Sequence, residues 1–395
     1  MMSTGSTTPF VPLKFIAEIV SGGTPKADSN NWDGDIPFIT PPDLNGLDGD
    51  VVRQWERTLT DTGTSGSSIT KDAVLLSCRA PIGHVGVVTS EMAFNQGCKS
   101  IVPQDAEDLA YVAYCLVASR RALQALGRGT TFMEISTTQL SNFSIPWPVC
   151  MDRRAITRYL DRETSEIDAM LAALDELTRN LKQRSGIVVA NELKSHYLHG
   201  TIPLAFSSGA DNFFDGDWVE SKDQDPDGDI RLLQLADIGD GTFLDKSNRR
   251  INQEAFERLR CREVQEGDIL IARMPHPLGR ACILPTGLGR TITVVDVAVL
   301  RPDPNRVIPK YLVYVLNSIS FRAQLDSLQS GSTRQRISRS RLGQQRIPMP
   351  PVALQRAAVS HLDEVTGRIN AMLAKIDELK ALLVERRAAL ITDVV

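Results

Sequence analysis

Apolar residues at Leu160, Ile167, Met170, Leu174, Leu177 and Leu181 follow one another, after a first step of seven, by threes and fours. The same spacing returns at Leu362, Ile369, Met372, Ile376, Leu379 and Leu383, with acids and bases nearly balanced in between. This is the narrow seam of a coiled coil, whereas a helix packed on its own globular core carries a wider apolar stripe. It predicts two long helices, residues 151–200 and 352–395. Elsewhere the apolar runs are short. Val74–Ser77, Val85–Val88, Ile269–Ala272 and Thr293–Leu300 are rich in β-branched residues and bounded by Gly, Pro or Asp, which predicts strands. Ala110–Leu126 and Pro309–Leu328 carry helical periodicity. The fold class expected is α+β, with two globular modules, residues 1–150 and 201–351, each followed by a long helix.

The modules are copies. Residues 145–184 recur at 347–386, a shift of 202 (347 − 145): Ile145-Pro-x-Pro148 with Ile347-Pro-x-Pro350, Leu160-Asp161 with Leu362-Asp363, Asp175-Glu-Leu177 with Asp377-Glu-Leu379. Gly129-Thr-Thr…Ile135-Ser136 matches Gly331-Ser-Thr…Ile337-Ser338 at the same shift. Ala73–Pro81 pairs with Gly267–Pro275, which sets Arg79 beside Arg273, and Tyr111-x-x-Tyr114 pairs with Tyr311-x-x-Tyr314. A fixed long period means one unit built twice. Each helix of about 40–45 residues spans roughly 60–65 Å, whereas the segment of about 150 residues between them has a radius near 15 Å. Parallel helices would oblige that segment to carry the chain back over the full helix length. The expected arrangement is therefore an antiparallel coiled coil, with two modules at its opposite ends related by an approximate two-fold axis. Duplex DNA has matching symmetry.

Composition adds limits. Hydrophobic residues make up 42% and charged residues 23%, ordinary for a globular protein. No apolar run reaches membrane-spanning length and Met1–Phe10 has no signal-peptide pattern, so no membrane contact is expected. Six scattered cysteines without a C-x-x-C point to a reduced, cytoplasmic chain. The net charge of −4 conceals segregation. Asp211–Asp240 is acidic, Arg249–Arg290 is rich in arginine, and Arg334-Gln-Arg336-Ile-Ser-Arg339-Ser-Arg341 holds no acid. Arginine suits phosphate and guanine edges, although such runs are commonly solvated faces.

Motifs for chemistry are missing. Thr40-Pro-Pro-Asp43 lacks the polar acceptor and stacking aromatic of an amino-methyltransferase. Glu192-Leu-Lys194 and Glu378-Leu-Lys380 resemble a nuclease E-x-K but fall on the predicted long helices. His196-x-x-His199 has no further ligands nearby and reads as a solvated helix end, so no metal site is expected. There is no phosphate-binding loop or dinucleotide fingerprint. Catalytic residues: none. The candidates for nucleic-acid contact are Arg79 and Arg273, each between a strand and a Pro-containing loop, with His276 and Arg280 on the second of those loops. To them are added Lys26, Arg128, Thr130, Thr131, Ser332, Thr333, Arg334 and Arg336. The Gly129-Thr-Thr and Gly331-Ser-Thr loops read equally as capped turns and as phosphate clamps.

The module opening Ser21-Gly-Gly-Thr-Pro25…Trp32-Asp-Gly-Asp-Ile36-Pro-Phe-Ile39, the repeated Gly-[Thr/Ser]-Thr…Ile-Pro-x-Pro ending and the long helix after each module resemble the specificity subunits of type I restriction–modification systems. The resemblance covers nearly the whole chain, except that Asp215-Gly-Asp-Trp218 replaces the Gly-Gly-Thr-Pro loop in the second module. It implies that each module is a target recognition domain reading half of an interrupted double-stranded DNA sequence. It also implies that the helices are the spacer, holding two methyltransferase (modification) subunits, joined by restriction motor–nuclease subunits. No cofactor is expected in this chain; S-adenosylmethionine, ATP and magnesium belong to the partners. A coiled-coil adaptor with paired protein-binding modules is the alternative.

Overall fold

The computed structural model describes residues 8–127, 134–275, 277–328 and 336–395. The chain divides into two compact units: Met1–Leu174 with Asp377–Val395, and Asp175–Ile376. The two long helices run continuously over Cys150–His196 and Val352–Val394, so each unit contains part of both. Among the described residues no helix is long and apolar enough to cross a membrane.

The first unit is built on a four-stranded antiparallel sheet in the order Ala17–Ser21, Cys98–Pro103, Ala73–Ser77, Val85–Val88. Successive side chains of a strand point to opposite faces. Val74 and Leu76 accordingly pack with Tyr111, Val112 and Leu116 on one side, and Leu75 packs with Ile39, Leu44 and Phe94 on the other. Burial on both faces is why this strand reads as an unbroken apolar run. A second sheet, in the order Arg57–Leu59, Trp32–Ile39, Met92–Phe94, Ser68–Thr70, includes one parallel pairing.

The second unit repeats the plan. Its four-stranded sheet runs Ser208–Asp215, Val297–Pro302, Ile269–Ala272, Ala281–Ile283, and its smaller sheet has Arg250–Ile251, Ile230–Leu233 and Thr291–Thr293. Ile269 and Ile271 face one core, Leu270 and Ala272 the other. The single strand expected over Thr293–Leu300 is two strands. The chain leaves the small sheet after Thr293, turns with Val297 N donating to Val294 O (3.0 Å), and enters the large one. Each expected module helix is likewise two, Leu109–Ala118 with Arg120–Leu126 and Pro309–Leu316 with Ile319–Ser327. In the second unit the break is made by Ser318, whose hydroxyl caps the next helix through Phe321 N.

The duplicated tyrosines join module to long helix. Tyr111 donates to Pro146 O (3.0 Å) at the Ile-Pro-x-Pro exit, and Tyr114 donates to Asp161 Oδ1 (2.8 Å), the residue after the seam's first leucine. In the second unit Tyr311 reaches Pro348 O (3.5 Å), and Tyr314 reaches Asp363 Oδ1 (2.7 Å) and Thr366 Oγ1 (3.1 Å). A buried polar anchor sits beneath each joint. Arg153 makes a bidentate pair with Asp108 (2.8 and 2.8 Å), donates to Pro148 O (2.6 Å) and lies over the Trp147 ring. At the equivalent position Gln355, fully buried, accepts from Ile308 N and donates to Arg306 O and Pro350 O.

Within the first unit the helices run antiparallel: Leu160 shares a cluster with Ile391, and Asp168 pairs with Arg387 (3.2 Å). Within the second unit Val189 and Leu193 share a core with Ala358 and Leu362, and His361 Nδ1 lies 2.9 Å from Glu192. The seam itself is shifted from the expected one. Leu160, Ile167, Leu362, Ile369, Ile376 and Leu383 are buried and Leu174 and Leu181 half-buried, but Met170, Leu177, Met372 and Leu379 are exposed. Their places on the inner face are taken by Thr164, Leu171, Thr178, Thr366 and Leu373. A count of apolar residues alone passes over threonines at seam positions.

Because Asp108 and Arg153 are both buried, removing one strands the other's charge. Arg153→Met should cost about 3–5 kcal/mol, and Asp108→Leu combined with it should restore most of the loss. Urea unfolding of the single and double variants checks this; a double variant no more stable than the single would place the anchor elsewhere.

Candidate nucleic-acid interface

Each four-stranded sheet ends in a close-packed turn. Strand Ala17–Ser21 runs into Gly22, where a Cβ would stand 2.0 Å from Asn95 O; strand Ser208–Asp215 runs into Gly216, where a Cβ would stand 2.2 Å from Val294 O. Only glycine fits either position. The second module thus keeps the glycine that its divergent Asp-Gly-Asp opening obscured. In the first unit Gly22 N donates to Cys98 O (3.3 Å) and Gly23 N to Phe94 O (3.1 Å), and Lys26 emerges from this turn with an exposed side chain.

The arginines around these sheet ends have distinct fates. Arg79, half-exposed, pairs with Glu134 (3.0 Å). Arg273 is buried: its guanidinium stands 3.0 Å from Asp215 and donates to Val295 O, and burial holds it below its usual pKa. The two arginines are also not structural equivalents. Ile135 N donates to Cys78 O, whereas Ile337 N, its counterpart at the 202 shift, donates to Arg273 O, so Arg273 occupies the place of Cys78. Arg280 is turned inward as well, donating to Ile238 O (2.8 Å), Leu235 O (2.9 Å) and Pro277 O (3.2 Å). Neither Arg273 nor Arg280 is presented for base or phosphate contact. Arg336 remains at the surface, pairing with Asp296 (3.1 Å) and donating to Val295 O (3.0 Å). Arg339, part of the basic run but not among the named contact candidates, joins it, donating to Phe213 O (2.8 Å) and lying 3.5 Å from Asp215. Arg336, Arg339, Asp215 and Asp296 thus form one charged cluster over buried Arg273. Arg128, Thr130, Thr131, His276, Ser332, Thr333 and Arg334 lie outside the described residues.

The charge segregation seen along the sequence largely cancels in space. Asp223 meets Arg258 (2.7 Å), Glu263 meets Arg290 (2.6 Å), Asp240 meets Arg322 (2.5 Å) and Asp245 meets Arg231. His196 is not the solvated helix end expected: it is buried, with Nδ1 3.2 Å from the Tyr311 hydroxyl, and burial lowers its pKa. Among the described residues no group of three His, Cys, Asp or Glu side chains could hold a metal ion.

Two modules of one plan, each with a charged sheet end and joined to a long helix, define what the chain can be compared with. The sequence model of the family described as type I restriction modification DNA specificity domain matches it twice, over residues 7–179 and 214–381. The chain belongs to this family. Relatives include the MjaIX type I restriction enzyme specificity subunit of Methanocaldococcus jannaschii, 30% identical over 45% of this chain and 40% of that protein. Another is the StySPI specificity subunit of Salmonella potsdam, 22% identical over 73% and 66%. The chain spans between about two fifths and two thirds of the length of these two relatives. Among solved structures, a chain from a study of complex assembly and conformational transition in a type I R-M system superposes with a TM-score of 0.71 at 16% identity, covering 99% of both chains. The HsdS subunit from Thermoanaerobacter tengcongensis gives 0.50 at 16% identity, covering 98% and 96%. Membership of a DNA specificity-domain family displaces the adaptor reading.

The inward arginines make a separable expectation. Arg280→Ala removes the guanidinium that three loop carbonyls accept from and should lower stability by about 1–3 kcal/mol, while the slope of log K against log salt for DNA, measured below the unfolding transition, stays as in the parent. A slope shallower by about one unit would return Arg280 to the DNA face.

Proposed function

We propose that this chain is the sequence-specificity subunit of a type I complex, that each module reads one half of an interrupted DNA target, and that the long helices set the gap between the halves. The observation that carries this is the duplicated plan with non-duplicated chemistry. Fold, glycine turn and tyrosine joint are kept in both units, while the side chains at the sheet ends differ, Ser21 and Cys78 in one against Asp215 and Arg273 in the other. Kept scaffolding with exchanged contacts is what two readers of two different half-sequences require. Surface cations such as Lys26, Arg336, Arg339 and Arg341 supply the phosphate contacts that hold register.

The chain positions catalytic partners and performs no reaction itself. At positions matched by the repeat, each unit exposes a methionine from one long helix and a leucine from the other: Met170 with Leu379 in the first, Met372 with Leu177 in the second. Large apolar side chains standing at half exposure, repeated in both units, suit a partner bound in two copies. We assign this surface to two methyltransferase subunits, which bring S-adenosylmethionine, with a restriction motor–nuclease joining them.

The purified chain should show no methyl transfer to DNA and should confer adenine methylation at an interrupted target when joined with its modification partner. Met372→Asp should reduce the partner bound from two copies to one by native mass spectrometry, without changing the fold of the chain. Robust methylation by the chain alone, or two copies retained by both Met170→Asp and Met372→Asp, would contradict the proposal.

A further inference from the structure

A buried cation in the first unit lacks what its counterpart in the second unit has. Lys99 lies on an inner strand of the four-stranded sheet, at the sheet's end, and is only 4% exposed. Its ammonium donates to Ser21 Oγ (3.2 Å), and that hydroxyl stands 2.9 Å from Thr137 Oγ1. Among the described residues no carboxylate pairs with it, and the nearby Glu134 is engaged by Arg79. The adjacent Cys78 does not supply a negative charge either, since burial pushes its thiol up to about 12. An ammonium has three protons to donate, and burying its charge unpaired is costly.

The cross-strand rows show how the second unit resolves the same situation. Ser21, Lys99 and Leu76 stand side by side in the first unit; Asp215, Ala298 and Ile271 stand in the corresponding row of the second. There the buried cation is Arg273, entering from the place of Cys78, and Asp215 in the place of Ser21 neutralises it. Both units therefore bury one cation at the same sheet end. The second closes the charge internally, and the first surrounds it with hydroxyls, of which Ser21 is exposed to solvent.

We propose that Lys99, Ser21 and Thr137 form a seat for one phosphate group of the DNA backbone on the first unit, a seat that the second unit has closed with its own carboxylate. The seat rests on the DNA reading above. A phosphate oxygen accepting from the two hydroxyls meets the ammonium at their base, so the anion supplies the charge that the protein withholds. Because the contact is to the backbone, it sets register and does not choose a base.

The test uses the full chain with its modification partner and measures DNA affinity across a salt series. Lys99→Met should make the salt slope shallower by about one unit on target and random DNA alike. Ser21→Asp, which installs the second unit's solution while keeping the lysine, should do the same, and Lys99→Arg should keep the parent slope. Replacing single phosphates of the first half-target by neutral methylphosphonates should reveal one position where the parent loses affinity and Lys99→Met does not. Unchanged slopes in Lys99→Met and Ser21→Asp would overturn the seat while leaving the DNA reading intact. So would Lys99-dependent thermal stabilisation by inorganic phosphate with no effect on DNA slope, which would mark a small-anion site. A parent complex with no salt-dependent DNA binding would remove both.

Discussion

The architecture depends on the joint between each module and its long helix. Two tyrosines one helical turn apart do the joining: one hydroxyl bonds a carbonyl at the Ile-Pro-x-Pro exit, and the other bonds an aspartate on the first turns of the helix. Proline ends the strand and permits the helix to start, so direction changes within a few residues. Tyr111 and Tyr311 are almost fully buried and burial raises both hydroxyls above the ordinary tyrosine pKa, so the groups remain neutral donors. A module held this way cannot swivel on its helix without breaking buried hydrogen bonds, which is what a reader with a fixed register needs.

Against that constant joint, the units vary where charge is placed. The helix start is anchored by an ion pair in one unit and by an amide in the other, Arg153–Asp108 against Gln355. At the sheet ends the same substitution of one solution for another recurs, with Arg273–Asp215 in place of Lys99 and Ser21. The duplicated chain has retained shape and exchanged electrostatics, and electrostatics is the part that a nucleic acid senses first.

The repeat, the α+β modules and the long helices were legible because they rest on periodicity and on punctuation by Gly and Pro. The strand at Ile269–Ala272 and the Tyr-x-x-Tyr pairs were visible for that reason. What could not be read was the direction of individual side chains. Arg273 and Arg280 sit in loops that reach outward by sequence, yet their guanidiniums turn in to satisfy backbone carbonyls and Asp215. Met170 and Met372 fit an apolar count of the seam, but threonine and leucine neighbours fill the inner face instead. Lys99 left no signal at all, since a single lysine in a strand is ordinary until its burial and missing counter-charge are known.

The central claim is that two different readers act on two different half-sequences. Mapping methylated adenines across the genome of cells expressing this chain with its modification partner tests it most directly. The account predicts one motif, interrupted by unspecified bases, whose two halves differ. A contiguous motif, or one whose halves are perfect inverted copies, would contradict it.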